Sequence, residues 1–274
     1  MSTSTEPVHY LVASDFDQTL SFNDSGAVLS QILGTSRFEE KVAGLASSHL
    51  VHQGGELAYL LRHDPEFRAV RREHLIEAGK KVRLKLDIPH LVDLLARGVN
   101  GCTFSFFVIS AAPREVICSA LEGVVPADHI FGTELEFDEV SGEVSAVTHV
   151  PAGYGKVAVL EQLETRAGTR PEHTIYVGDG SSDVHVMLHV NNRDGFTIAV
   201  SENRHLARIA RRTVLSDSAL SVMVPILGHL GGWSSGAIRE LFASYGLTLH
   251  DWERARTDRV TLREVPALLR AESA

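Results

Sequence analysis

The sequence predicts a doubly wound, Rossmann-like α/β sheet with a helical segment inserted after its first strand. Three observations predict it. Short apolar, β-prone runs alternate with helical patterns from residue 88 onward. Residues 21–86 read as helix after helix with no convincing strand. Three of the apolar runs end directly on polar segments, "SDFDQT", "SAAPRE" and "GDGSSD". Ligands of such sheets bind at the carboxyl ends of the strands.

The elements follow in order. "VHYLVAS" (8–14) is a buried strand by its length and β-prone content. "SRFEEKVAGLASSHL", "GGELAYLLRH" and "DPEFRAVRREHLIEAGKKV" are helical, and Pro65 suits a first helical position behind Asp64 as N-cap. "IPHLVDLLARG" (88–98) is a helix with Pro89 near its start and Gly98 as its C-cap. "FSFFVIS" (104–110) is a second buried strand, and "REVICSALEGV" a helix. Residues 129–150 begin as a strand and continue as a hairpin turning at Ser141 and Gly142. "GKVAVLEQLETRAG" is a helix, "TIYVGDG" (174–180) a strand, and "SSDVHVMLHV" opens a helix. "FTIAV" and "TVL" (213–215) are short strands. The linker-like "GGWSSG" then leads to two helical stretches, "AIRELFASYG" and "LREVPALLRA". The resulting division is an α/β core over 1–20 and 87–230, a helical insertion over 21–86 and a helical extension over 231–274. The extension is open to three readings: packing on the core, a homodimer interface, or a partner site.

Composition bounds the function. Of 274 residues, 44% are hydrophobic and 22% charged, which supports a large core and excludes wholesale disorder. A net charge of -9 disfavours nucleic acid and anionic lipid as partners. "MSTSTEPVHY" lacks the features of a signal peptide, and no apolar run reaches membrane-spanning length. Cys102 and Cys118 form neither a CxxC nor a zinc pattern, so a cytoplasmic protein with reduced thiols is expected.

Each polar segment has a plain reading and a chemical one. Asp15 and Asp17 suit the turn after a strand. Residues two apart on a strand also share a side, so both carboxylates can face one cavity, where they need a cation such as Mg²⁺ or an acid/base role. Asp179 and Asp183, four apart at a strand-to-helix turn, either cap the turn or approach one metal together. Ser110 is an N-cap or holds a phosphate oxygen with nearby amides. Lys156 opens a helix, where a solvated lysine is ordinary. His185 and His189 stand four apart, as zinc pairs do, but no third ligand is evident and packing explains them.

Taken together, in this order and at these strand ends, the segments resemble the haloacid dehalogenase superfamily of phosphohydrolases over roughly residues 8–222. Asp15, Phe16, Asp17, Gln18 and Thr19 look like its first motif, Ser110 its second, Lys156 its third, and Gly178 through Asp183 its fourth. The insertion resembles the small cap of phosphoserine-phosphatase-like members. The resemblance implies a phosphoric monoester hydrolase acting on a small-molecule ester. Asp15 would be the nucleophile, forming an aspartyl-phosphate, and Asp17 the acid and base. Mg²⁺ would be held by Asp15, the backbone carbonyl of Asp17, Asp179 and, as ligand or orienter, Asp183. Ser110, Lys156, the Ala111 amide and Ser182 would hold phosphate, and Asp24 and Arg62 are the nearest candidates for reading the organic group.

Two departures bear on the substrate. Ala111, Ala112 and Pro113 replace the glycines usual after the second-motif serine, and Ser182 replaces the usual asparagine. Both weaken the case for phosphoserine. Residues 62–85 carry eight Arg/Lys against four Asp/Glu, either a steering patch for an anionic substrate or a solvated helix face. The alternatives to a phosphatase are a phosphotransferase of the same superfamily and a catalytically silent binding protein; the presence of all six motif side chains opposes the second.

Overall fold

The side chains of the first strand sort to two faces with the two-residue period of a strand, and each face meets its own layer of helices. In the computed structural model, which describes residues 7–35, 37–48, 51–99, 101–230, 233–250, 252 and 257–264, the chain opens with β1 (Val8–Ser14). Then come α1 (Ser25–Leu33), α2 (Phe38–Ser48), α3 (Glu56–His63), α4 (Arg72–Lys81) and α5 (Ile88–Arg97). β2 (Cys102–Pro113), α6 (Arg114–Ala120), β3 (Ile130–Phe137), β4 (Val144–His149) and α7 (Tyr154–Ala167) follow. Next are β5 (Thr174–Gly178), α8 (Val184–Asn192), β6 (Phe196–Ala199), α9 (Arg204–Ile209) and β7 (Arg212–Leu215). The last are α10 (Met223–Leu230), α11 (Ser235–Ser244), β8 (Leu247–His250), β9 (Thr257–Arg259) and β10 (Thr261–Glu264).

Eight strands form one sheet in the order β4-β3-β2-β1-β5-β6-β7-β9. The β3–β4 hairpin is antiparallel and the other pairs are parallel. Leu11, Ala13, Ile109 and Tyr176 pack on one face with Leu160 of α7 and Met187 of α8. Val12, Val108, Val177 and Ile198 pack on the other with Leu91 and Leu95 of α5 and Ile226 of α10. Each fully buried aliphatic side chain contributes roughly 1.5–3 kcal/mol. This is the predicted doubly wound sheet. The chain leaves β1 toward β2 and β3 on one side and returns to β5 and β6 on the other. The crevice of this switch point therefore opens at the carboxyl end of β1, between the loops after β2 and β5.

Three expectations are corrected. Asp64 ends α3 instead of opening a long helix: its carboxylate accepts from the amides of Glu66 and Phe67, which turns the chain into one 3₁₀ turn (Phe67–Ala69), and α4 begins at Arg72. β2 does not stop at Ser110 but runs to Pro113 through a shift in its register with β3, so Ser110 is not a helix N-cap. The tail is not purely helical. α11 forms as expected, but Thr261–Glu264 pair antiparallel with β8, and Thr257–Arg259 extend the main sheet beside β7. Edge pairing here outweighs the helical pattern of "LREVPALLRA", of which only the first three residues lie within the described part.

Candidate active site

The Asp15 amide donates to the Val177 carbonyl at 2.9 Å, which carries the β1–β5 ladder one residue past β1 and fixes Asp15 at the switch point. Its side chain is 4% exposed; Oδ1 accepts from the Phe16 amide at 2.7 Å and Oδ2 meets Lys156 Nζ at 2.8 Å. The chain then turns tightly. The Phe16 carbonyl accepts from the amides of Thr19, Leu20 and Ser21, and Gln18 adopts a left-handed φ of 57°. The turn aims Asp17 at the start of α1, where its carboxylate accepts from the Ser25 amide at 2.9 Å and the Ser25 hydroxyl at 2.7 Å. The two aspartates thus share a cavity because of a turn and not because of strand parity.

Ser110 is buried, accepts from the Ala112 amide at 3.3 Å and stands near the Asp15 carboxylate, where its hydroxyl favours the charged form. Lys156 is 0% exposed, against the expectation for a lone helix-opening lysine. Its ammonium lies between Asp15 and Asp183, 2.6 Å from Asp183 Oδ1. That same Oδ1 accepts the Tyr176 hydroxyl at 2.7 Å, and Oδ2 accepts the amides of Asp179 and Gly180, each at 3.0 Å. Four donors thus fill the four lone-pair directions of the Asp183 carboxylate. Asp179 is held more loosely: its carboxylate accepts from the Thr19 hydroxyl at 3.3 Å, while its backbone carbonyl accepts from the Ser201 hydroxyl at 2.5 Å.

The charges do not balance. Burial lowers the Lys156 pKa, but the attraction of Asp15 and Asp183 outweighs it and leaves the ammonium raised above its usual range. Burial, against the pull of Lys156, lifts Asp15 to about 6. Burial and then the repulsion of Asp15 and Asp183 lift Asp179 to about 8. Burial and then Asp24 push Asp17 well above the carboxylate range. Carboxylate oxygens of Asp15, Asp179 and Asp183 lie within 4.8 Å of one another around a single lysine. An all-oxygen, over-negative donor set of this kind fits a hard divalent cation.

Asp15, Asp17, Ser110, Ala111, Asp179 and Ser182 line one cavity of about 330 Å³, and the residue before α1, α2 and the start of α3 supply its opposite wall. Asp24 is in that wall and also caps α1, accepting from the amides of Gly26 and Ala27. Arg62 is not brought there: it is exposed and borders a separate cavity with Tyr59 and Val147. Part of the basic stretch is paired away from the cavity, Arg68 and Arg71 with Glu143 and Arg72 with Glu115, while Lys85 borders an adjoining cavity with Gln18 and Asp179. His185 stacks on Tyr154, and His189 contacts Arg193 and Glu161. Among the described residues no helix is long and apolar enough to cross a membrane.

Sequence reasoning passed over Ser25, Tyr176 and Glu56, and placed Gly178 in the fourth motif without the reason for a glycine there. Ser25 and Glu56 had no signal beyond an ordinary helix start. Tyr176 had one: a tyrosine inside a buried strand needs a partner for its hydroxyl. Gly178 is required by contact. A Cβ there would stand 2.5 Å from the Asp183 carboxylate. Gly178→Ala should therefore push Asp183 off the two amides and Lys156, with a stability loss of about 1–3 kcal/mol and a lower kcat. Paired thermal melts and initial rates check it; a variant that matches wild type in both contradicts the packing.

The family model for haloacid dehalogenase-like hydrolases matches residues 12–188, and the chain belongs to that family. No curated protein sequence matches the chain. Among solved structures it is similar to a substrate-bound phosphoserine phosphatase complex at 19% identity and a TM-score of 0.62, covering 81% of this chain and 98% of the other. A phospho-aspartyl intermediate analogue of phosphoserine phosphatase is similar at 20% identity and a TM-score of 0.62, covering 81% and 99%. A gene product of Archaeoglobus fulgidus is similar at 15% identity and a TM-score of 0.65, covering 86% and 87%. At these identities the likeness is one of fold.

Proposed function

We propose that the protein is a Mg²⁺-dependent phosphatase that hydrolyses a small-molecule phosphate monoester through an aspartyl-phosphate on Asp15. The observation that carries this reading is the pair of aspartates in one cavity with opposite restraints. Asp15 is buried beside Lys156, and Asp17 is hydrogen-bonded to Ser25 and pushed toward its neutral form by burial and Asp24. The family and the phosphoserine phosphatase neighbours support the same chemistry.

In the first step an Asp15 oxygen bonds to phosphorus, the ester P–O bond breaks, and neutral Asp17 gives its proton to the departing oxygen. In the second, ionised Asp17 takes a proton from water as that water's oxygen bonds to phosphorus, which frees Asp15 and releases phosphate. Ser110, the Ala111 amide, Ser182 and Lys156 hold the non-bridging oxygens as charge shifts among them. Asp183, its lone pairs filled by four donors, serves as a positioning residue that sets Lys156 and the Asp179 and Gly180 amides. Asp15, Asp179 and the Asp17 carbonyl would hold Mg²⁺, which supplies Lewis-acid neutralisation of phosphoryl charge. Residues 21–86 act as the cap that selects the organic group.

The test is phosphate release from a panel of phosphorylated metabolites and an aryl phosphate, with Mg²⁺ and with chelator. Metal-dependent turnover supports the reading. A folded protein inert on every ester in Mg²⁺ overturns it.

The raised carboxylates give a second expectation, in stability. An acid whose pKa is raised by folding favours the fold in its neutral form, so its contribution is present at low pH and lost as pH rises through the folded value. With Asp15 at about 6 and Asp179 at about 8, the metal-free protein should lose stability from pH 5 to pH 8. The loss is at most roughly 1.4 kcal/mol for each pH unit by which folding displaces a carboxylate's titration. Mg²⁺ should offset it, so the gain in Tm on adding Mg²⁺ should grow over that range. Burial lowers His173 and His229, which titrate nearby, but they do so with and without metal and cancel in the difference. A metal gain that is flat with pH would contradict the assignment.

A further inference from the structure

We infer that the ester's organic group is compact, partly apolar and cationic, as in the phosphate of a small amino alcohol; this rests on the phosphatase reading and specifies its substrate. The wall of the cavity facing Asp15 decides it. Phe38, Val42 and Leu57 give that wall apolar surface, and Asp24 and Glu56 give it two carboxylates. Glu56 is 7% exposed, with Oε2 fixed by the Gly54 amide at 2.8 Å. Asp24 is fixed through Oδ1 by two amides of α1. Neither is free to swing out into solvent. Among the described residues lining the cavity there is no lysine or arginine. Of the ammonium groups nearby, Lys156 is already shared by Asp15 and Asp183, and Lys85 stands in an adjoining cavity on the far side of Gln18 and Asp179, away from Asp24 and Glu56, while Arg62 stands at another cavity.

An organic group bearing a carboxylate would therefore meet two fixed carboxylates and no cation in that wall. A neutral group would use the apolar surface and leave both carboxylates desolvated and unpaired. An ammonium satisfies them. The aromatic ring adds to this. Phe38 packs so closely on Gly26 that a Cβ at that residue would lie 2.3 Å from its Cζ, which sets the ring over the start of α1 beside Asp24. A cation held at Asp24 lies beside that ring, and contact with the ring's face adds to the carboxylate's attraction. The small volume, about 330 Å³ including the phosphate site, limits the group to a few heavy atoms beyond the ester oxygen.

Four probes of similar size test this: 2-aminoethyl phosphate, propyl phosphate, carboxymethyl phosphate and, as the neutral match for the carboxymethyl ester, isobutyl phosphate, each assayed for kcat/KM with Mg²⁺. The expected order is amine above propyl by about tenfold and carboxyl below isobutyl by about tenfold, the scale of one charge contact in a partly buried site. Glu56→Gln keeps an oxygen for the Gly54 amide and should compress the amine-to-propyl ratio toward one. Val42→Lys places a cation in the same wall and should raise the carboxyl ester relative to the amine. Equal or better turnover of the carboxyl ester by wild type, or ratios indifferent to both substitutions, overturns the inference and leaves the phosphatase intact. Failure of all four probes and of the wider panel overturns the phosphatase reading itself.

Discussion

Asp15→Asn is expected to lower phosphate release by about four orders of magnitude or more while leaving the protein folded. A carboxamide is almost isosteric with the carboxylate, but its oxygen is a far weaker nucleophile, and the covalent route through residue 15 is closed. The fold should tolerate the change. Burial already disfavours the charged form of Asp15, so a neutral side chain removes a desolvation cost. Lys156 keeps its contact with Asp183 at 2.6 Å. A dead enzyme with an unchanged or raised metal-free Tm at pH 8 is therefore the expected pair of results. Asp17→Asn makes the informative contrast. It should cost about 10²–10⁴ on an alkyl ester, whose leaving oxygen needs a proton, and less on an aryl phosphate, whose leaving group does not. If Asp15→Asn retained more than a few per cent of wild-type turnover, residue 15 would not be the nucleophile and the proposed order of steps would fail.

How much of this could be read from the sequence depends on the range of the interactions involved. The sheet was legible because strand period and helix period are local: the runs at 8–14 and 174–178 and the helix over 88–97 carry their patterns within a few residues. The catalytic candidates were legible because they cluster at strand ends, and the fold brings those ends together. Asp15, Ser110, Lys156, Asp179 and Asp183 come from four separate stretches and touch directly or through one partner. What escaped is what depends on distant chain. The tail reads as two helices, yet Thr257–Arg259 find an open sheet edge at β7, and a free edge is not visible in the tail's own residues. Arg62 read as a substrate-binding cation because it is basic and in the insertion; α3 instead turns it outward. Glu56, on the same helix and six residues earlier, faces the cavity. A six-residue separation spans about 240° around a helix axis once the 3.6-residue turn is counted, so one face could not hold both. The choice between them rests on where α3 packs, which only tertiary structure decides.

Lys156→Met should be the most destabilising single change at this site. The ammonium is 0% exposed and balances Asp15 and Asp183, which are themselves 4% and 0% exposed. Methionine fills similar volume but leaves those carboxylates, with Asp179 beside them, without a cation. Removing one partner of a buried ion pair typically costs about 3–5 kcal/mol, which for a domain of this size lowers Tm by roughly 6–20 °C. The loss should shrink at pH 5, where the raised carboxylates of Asp15 and Asp179 are neutral, and in Mg²⁺, which substitutes for the missing charge. A double variant, Lys156→Met with Asp183→Asn, separates folding from chemistry. The asparagine keeps an oxygen for the Tyr176 hydroxyl or the backbone amides and removes one uncompensated charge, so it should recover part of the lost Tm. It should not recover turnover, because no ammonium is left to meet phosphoryl charge in the transition state. Recovery of Tm and rate together would mean that Lys156 acts only by holding the site in shape. Recovery of Tm alone assigns the remaining rate loss to the chemistry of the lysine itself.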